Sequence, residues 1–232
     1  MKTIKTTDKI LPLPLALLFT LSLFFLPQQL SAVPQSTLAP ILVGTFSANN
    51  LDGWREKVFA NKTSYQLVKQ GEQTVLQATA NSSASGLFKE VDINLKTHPF
   101  INWKWKIDKG LPPLAEKTKA GDDYAARIYI VAKGGLLFWK TKAINYIWSS
   151  SEKVGTIWPN AFAKKNVMVL TVRSPEDTQG IWYQEKRNVY EDFKQVYGEE
   201  IKYIQAIAIM TDSDNSGGLA QASYGDIFFT AH

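Results

Sequence analysis

The chain has 232 residues, 26 basic and 21 acidic side chains for a formal net charge of +5, and no cysteine. That length supports one sizeable core rather than two, and without cysteine there are no disulfides, thiol nucleophiles or thiolate metal sites. The two histidines are His98, beside Pro99, and His232 at the end, so His-rich zinc sites lack ligands and a Ser-His-Asp triad would have to use His98.

Lys2, Lys5 and Lys9 precede an apolar block over residues 10–26, uninterrupted over residues 15–26. That core is short of the ~20 residues a helix needs to cross ~30 Å of hydrocarbon. With the small-residue exit at Leu30-Ser31-Ala32, it has the form of a secretory signal peptide over residues 1–32, cleaved after Ala32. The expectation is a periplasmic or secreted protein with no membrane span after cleavage. A retained anchor counted from Ile10 is the alternative. Residues 33–40 read as a polar lead-in and residues 41–232 as a single domain. The lysines are scattered among acids, which describes a solvated surface and no nucleic-acid footprint.

Within the domain, strands are predicted over residues 74–80 and 86–91. In residues 100–107, Ile101, Trp103, Trp105 and Ile107 alternate with Asn102, Lys104 and Lys106, the pattern of a half-buried strand. Residues 124–132, 166–173 and 203–210 are more uniformly apolar and fit central strands. Residues 144–148, 181–187 and 222–229 add shorter candidates. Gly, Pro, Asn and Ser clusters punctuate the intervals. One helix stands out: Asn188 caps a run with Val189, Phe193 and Val196 or Tyr197 on one face, and Gly198 ends it. Repeated crossover helices are missing, which excludes a parallel α/β sheet. The fold class is all-β: a two-sheet antiparallel jelly-roll-like sandwich with one or two short helices.

Carboxylates dominate the remaining chemistry, since no Gly-rich phosphate loop follows a strand and opens a helix. Asp122 and Asp123 lie at the mouth of a predicted central strand, and Glu185 and Arg187 share a strand face. Two carboxylates ~5–9 Å apart can serve as acid and base on a glycosidic bond. The competing reading is that Asp122 or Asp123 caps a turn and Glu185 pairs with Arg187 or a lysine. Residues 212–217 read Asp-Ser-Asp-Asn-Ser-Gly, the opening half of a calcium loop, but Ser223 stands where its closing Glu belongs. A Ca2+ site from Asp212, Asp214, Ser216 and Asp226 is weighed against a polar turn that bonds its own backbone. Trp103 and Trp105 read as core. Trp139, in the apolar segment 134–140, and Trp158 read as exposed loop rings, while Tyr146, Trp148, Trp182 and Tyr183 are open either way.

The segments Gly121-Asp122-Asp123-Tyr124-Ala125-Ala126-Arg127-Ile128-Tyr129, Asn145-Tyr146-Ile147-Trp148 and Glu185-Lys186-Arg187-Asn188-Val189-Tyr190 resemble the bacterial family of domain of unknown function 3047 (DUF3047). So do residues 206–215 and Tyr224-Gly225-Asp226-Ile227. The resemblance implies a secreted or periplasmic bacterial protein and brings no activity with it. A fold-level likeness to galactose-binding-like and carbohydrate-binding-module sandwiches rests on residues 46–54 and the closing Gly-Asp-Ile strand.

The leading expectation is a non-catalytic module binding glycan or cell-envelope material through Asp122, Asp123, Tyr124, Tyr146, Trp148, Trp158, Trp182, Glu185 and Arg187. The alternatives are a glycoside hydrolase or lyase using paired carboxylates, and an envelope assembly protein making contact through residues 134–140, with Leu137 and Trp139 at its tip.

Overall fold

The alternation around Trp103 is built as a strand, Phe100–Lys109, with Ile101, Trp103, Trp105 and Ile107 buried and Lys104 and Lys106 half-buried on its other face. The computed structural model describes Thr3, residues 38–132, Gly134 and residues 141–232. The expected leader apart from Thr3, most of the expected lead-in, and Leu137 and Trp139 lie outside the described residues.

Strands are numbered in chain order. One sheet runs β1 (Ile41–Gly44), β14 (Ile227–Thr230), β6 (Phe100–Lys109), β13 (Leu219–Tyr224), β4 (Gln73–Asn81) and β3 (Ser64–Gln70), with β11 (Tyr183–Asn188) also paired to β6. The other runs β2 (Trp54–Ala60), β5 (Ala84–Asn94), β12 (Tyr203–Asp212), β7 (Ala126–Ala132), β8 (Ala143–Trp148), β10 (Lys164–Arg173) and β9 (Ile157–Asn160). The structure is therefore the expected two-sheet β-sandwich, with two differences of detail. β13 and β14, read from sequence as one strand, lie in succession along β6, and Gly225 N donates to Lys104 O between them. β8 and β10 pair in parallel, because residues 149–163 loop out through β9 and return the chain in the same direction.

Aromatic rings join the two inner faces. Trp103 of one sheet stacks on Tyr146 of the other at 5.6 Å, and Trp105 lies 6.1 Å from Trp148. Buried indoles of this size supply much of the apolar burial a disulfide-free domain needs. The predicted helix forms as α1 (Val189–Tyr197). The Asn188 side chain accepts from Glu191 N, Gly198 closes the helix at φ 69°, and Val189 and Phe193 are buried. Among the described residues, no helix is long and apolar enough to cross a membrane.

Candidate functional site

With Ile128, Ile130, Ile207 and Ile209 buried in the core, strand alternation turns Arg127, Tyr129 and Val131 of β7, and Ala208, Met210 and Asp212 of β12, to the opposite side. Register sets Met210 beside Arg127 and Gly86, and Ala208 beside Tyr129 and Phe88. These side chains make the outer face of the second sheet. This explains why β7 and β12 look largely apolar: their outer face also carries apolar side chains, with Tyr129, Val131 and Ala208 half-buried.

Arg127 is the least expected feature of this face, a guanidinium only 3% exposed. Its Nη2 donates to Asp212 Oδ2 and meets Met210 Sδ at 3.0 Å, and it packs over the rings of Tyr124 and Tyr129. Among the described residues, its Nε and Nη1 have no hydrogen-bond partner. Burial works against its charge, but Asp212 and neighbouring groups outweigh that and raise its pKa. Burial in turn drives the Asp212 carboxyl up, with Arg127 pulling it back.

Arg127 lines a hollow of about 390 Å³ together with Asp122, Asn160, Asp212, Asp214, Phe59 and Phe162. Asn160 Nδ2 donates to both oxygens of Asp122 at 2.9 Å. Asn160 Oδ1 also accepts from Phe162 N and Ala163 N, so one amide holds the acid and the turn carrying the ring. Phe59 and Phe162 are 61% and 52% exposed. Burial raises the Asp122 carboxyl, against the pull of Arg127 and Asn160. Burial, with the charge of Asp123, raises Asp214 as well.

Asp123 takes the capping role weighed from the sequence. Its oxygens accept from Asn215 N and Nδ2 and from Ser216 N and Oγ, which closes the loop after β12. Burial pushes its carboxyl up, but those donors prevail and hold it below the ordinary range. Asp123, Asp212 and Asp214 each offer an oxygen within 4.8 Å of the others. Asp226 is not part of this group: its carboxylate accepts from Ser47 N and Oγ, and it lines a hollow with Asn102 and Lys104. Ser216 spends its hydroxyl on Asp123. A cation seated among the three acids would compete with donors already engaging Asp123 and with Arg127 and Tyr124 N on Asp212. Of the four residues expected to hold Ca2+, Asp212 and Asp214 meet here, with Asp123 in place of Ser216 and Asp226.

Several predicted site residues are elsewhere. Tyr146 and Trp148 are buried between the sheets, on the core side. Trp158, expected on an exposed loop, is 5% exposed and packs with Tyr124, Ile147 and Val169, because β9 lays it across the outer face opposite Val169. Tyr124 is buried there too, its hydroxyl 3.3 Å from both Asp122 Oδ1 and Glu116 O. Glu185 and Arg187 do share a face, but it is the face of Trp103, turned inward. Glu185 Oε1 accepts from Trp105 Nε1 and Arg173 Nε, and Arg187 pairs with Asp192. The expected partner of Glu185 was Arg187 or a lysine; its partner is Arg173 instead. Asp122 opens on the outer face of the second sheet, so the acid–base pair it was to form with Glu185 is not assembled. Trp182 is exposed on the first sheet, with Lys104 and Lys106 over its ring. Of the nine expected ligand residues, only Asp122 lines the hollow. Sequence reasoning missed Arg127, Asn160, Phe59 and Phe162. A lone charge inside an otherwise apolar strand was the readable signal for Arg127; the two phenylalanines carried none.

The sequence profile described as Protein of unknown function (DUF3047) matches residues 52–228. No curated protein matches the chain. Among solved structures, the family 11 carbohydrate-binding module of cellulosomal cellulase Lic26A-Cel5E of Clostridium thermocellum is similar at TM-score 0.47 and 10% identity, over 85% of this chain and 97% of that one. Endoglucanase cel12A from Rhodothermus marinus is similar at TM-score 0.46 and 8% identity, over 77% and 92%. The xyloglucanase domain of NopAA, a type three effector from Sinorhizobium fredii, is similar at TM-score 0.47 and 8% identity, over 78% and 95%. These are distant likenesses of layout and bring no residue or activity to this chain.

Proposed function

The chain belongs to the family of proteins of unknown function DUF3047, and within it we propose that this protein is a non-catalytic saccharide-binding module working through the outer face of its second sheet. One observation carries the reading: a buried guanidinium lines an acid-rimmed hollow with two of its nitrogens, Nε and Nη1, unpartnered among the described residues. Such donors are costly to leave unmade, by about 1–3 kcal/mol each; both nitrogens are closed to water, so a ligand oxygen would satisfy them once the side chains covering them shift. A sugar hydroxyl suits both sides of the site. Its oxygen accepts from Arg127, and its hydrogen goes to Asp122 or Asp214. The exposed rings of Phe59 and Phe162 offer flat apolar faces to the C–H side of a sugar. On this reading, the leader expected at residues 1–32 delivers the module to the cell envelope.

A glycan array supplemented with envelope polysaccharides tests the proposal. Retention of wild-type protein on at least one glycan is expected, with Arg127→Lys weakening it about tenfold or more through loss of charged hydrogen bonds. Phe59→Ala with Phe162→Ala should also weaken it without moving the melting temperature, since both rings are exposed. Folded wild-type protein that binds nothing on the array retires the reading.

A further inference from the structure

Beside the polar hollow, on the same outer face, lies a second hollow of about 390 Å³. Phe59 and Met210 line both, so the two hollows adjoin and together make one trough-like stretch of the face. The second half differs in chemistry. Phe88, Tyr129, Val131 and Ala208 wall it, and it contains no carboxylate or carboxamide among the described residues. A sugar ring seated there would have only Lys57, Thr141 and the Tyr129 hydroxyl to replace the water lost from its hydroxyls, and each hydroxyl left unpaired costs about 1–3 kcal/mol. An alkyl chain would gain about fourfold in affinity for every methylene it buries.

We infer that the ligand is an amphiphile, a saccharide carrying an alkyl chain, with the sugar at Arg127 and Asp122 and the chain in the apolar half of the trough. The inference rests on the saccharide reading of the polar half. Small residues at the centre of the floor, Gly86 and Ala208, lie between larger walls and make room for the chain. Gly86 also provides a means of closing that room. Its nearest neighbour to an added Cβ is Ile209 O at 3.5 Å, an ordinary contact, so a side chain there fits the backbone and fills the trough.

The experiment is calorimetric titration of the full chain with maltose, octyl maltoside and decyl maltoside below their micelle concentrations, and with decyl sulfobetaine as a sugar-free chain. Affinity should rise roughly 15-fold from octyl to decyl maltoside, as two further methylenes are buried. Decyl maltoside should exceed decyl sulfobetaine at least tenfold. In Gly86→Leu, with an unchanged far-UV spectrum, the two maltosides should bind alike. Equal affinity for maltose and both maltosides, or no binding by any of them, overturns the amphiphile; the glycan array then decides separately whether the saccharide reading stands. Decyl sulfobetaine binding as tightly as decyl maltoside also overturns it, and takes the sugar out of the trough.

Discussion

Arg127 and Asp122 set the pH behaviour of the site. Burial raises the carboxyls of Asp122 and Asp214 above the ordinary aspartate value of 3.8. A sugar hydroxyl donates more strongly to the ionised carboxylate than to the neutral acid, so binding is tightest above the raised values and weakens as pH falls through them. Stability moves the other way. Between 3.8 and the raised values the folded protein holds more protons than the unfolded chain, so these two groups make unfolding harder as pH falls through that window. Asp123, whose carboxyl is depressed, contributes stability that begins to be lost only when pH falls below 3.8. Affinity for an array-selected glycan should therefore decline with a midpoint above pH 3.8, while the melting temperature holds. Asp122→Asn should shrink that acid limb, and an affinity that falls only together with melting would contradict the assignment. At this scale the sequence was partly readable. Asp122, Asp123 and Asp214 announced themselves as acids in turn-rich segments. The burial of Trp158 did not, because an indole before a proline looks the same on a loop and on a short covering strand. Arg127 was visible as a charge among Ala, Ile and Tyr, but its meaning depends on Asp212, 85 positions away.

The elements were easier to read, because periodicity is local. β6 announced itself through its alternation, and α1 through Asn188 and Gly198. What escaped notice was how α1 is attached. Asp192, in the first turn of α1, is 5% exposed and accepts from Tyr146 OH at 2.6 Å and Arg187 Nε at 3.0 Å. Helix, edge strand β11 and the aromatic layer therefore meet at one carboxylate. Helical spacing marked Val189 and Phe193 as buried, but no pattern distinguishes an acid that pairs inward from one that faces water. Asp192→Ala leaves a buried phenol and a half-buried guanidinium without their partner, a loss of about 3 kcal/mol for a broken buried ion pair. Asp192→Asn keeps an acceptor and should cost less. Urea unfolding followed by tryptophan fluorescence would measure both, and an Asp192→Ala midpoint equal to wild type would show that α1 is held by Phe193 alone. The parallel pairing of β8 and β10 was equally hidden, since it is set by the route of residues 149–163 and by nothing inside either strand.

Across the whole molecule, the sheets are knitted from distant parts of the chain. β1 pairs with β14, so Ile41 lies opposite Phe229, and β5 pairs with β12 across more than 100 positions of sequence. Closing such pairings late in the chain makes folding slow compared with helical domains, on the order of milliseconds to seconds. It also makes the last strand indispensable. β14 completes the pairing of both β1 and β6, and Ile227 and Phe229 are fully buried in the main core. Losing two such side chains costs about 2–5 kcal/mol each, before counting the ladder hydrogen bonds of β1. A domain typically has only about 5–15 kcal/mol in hand. A chain ending at Asp226 should therefore show no cooperative urea transition, while one lacking only His232, which is exposed, should unfold like wild type. A cooperative transition in the shorter protein would mean that β13 alone can complete β6, and that β1 contributes little to the fold.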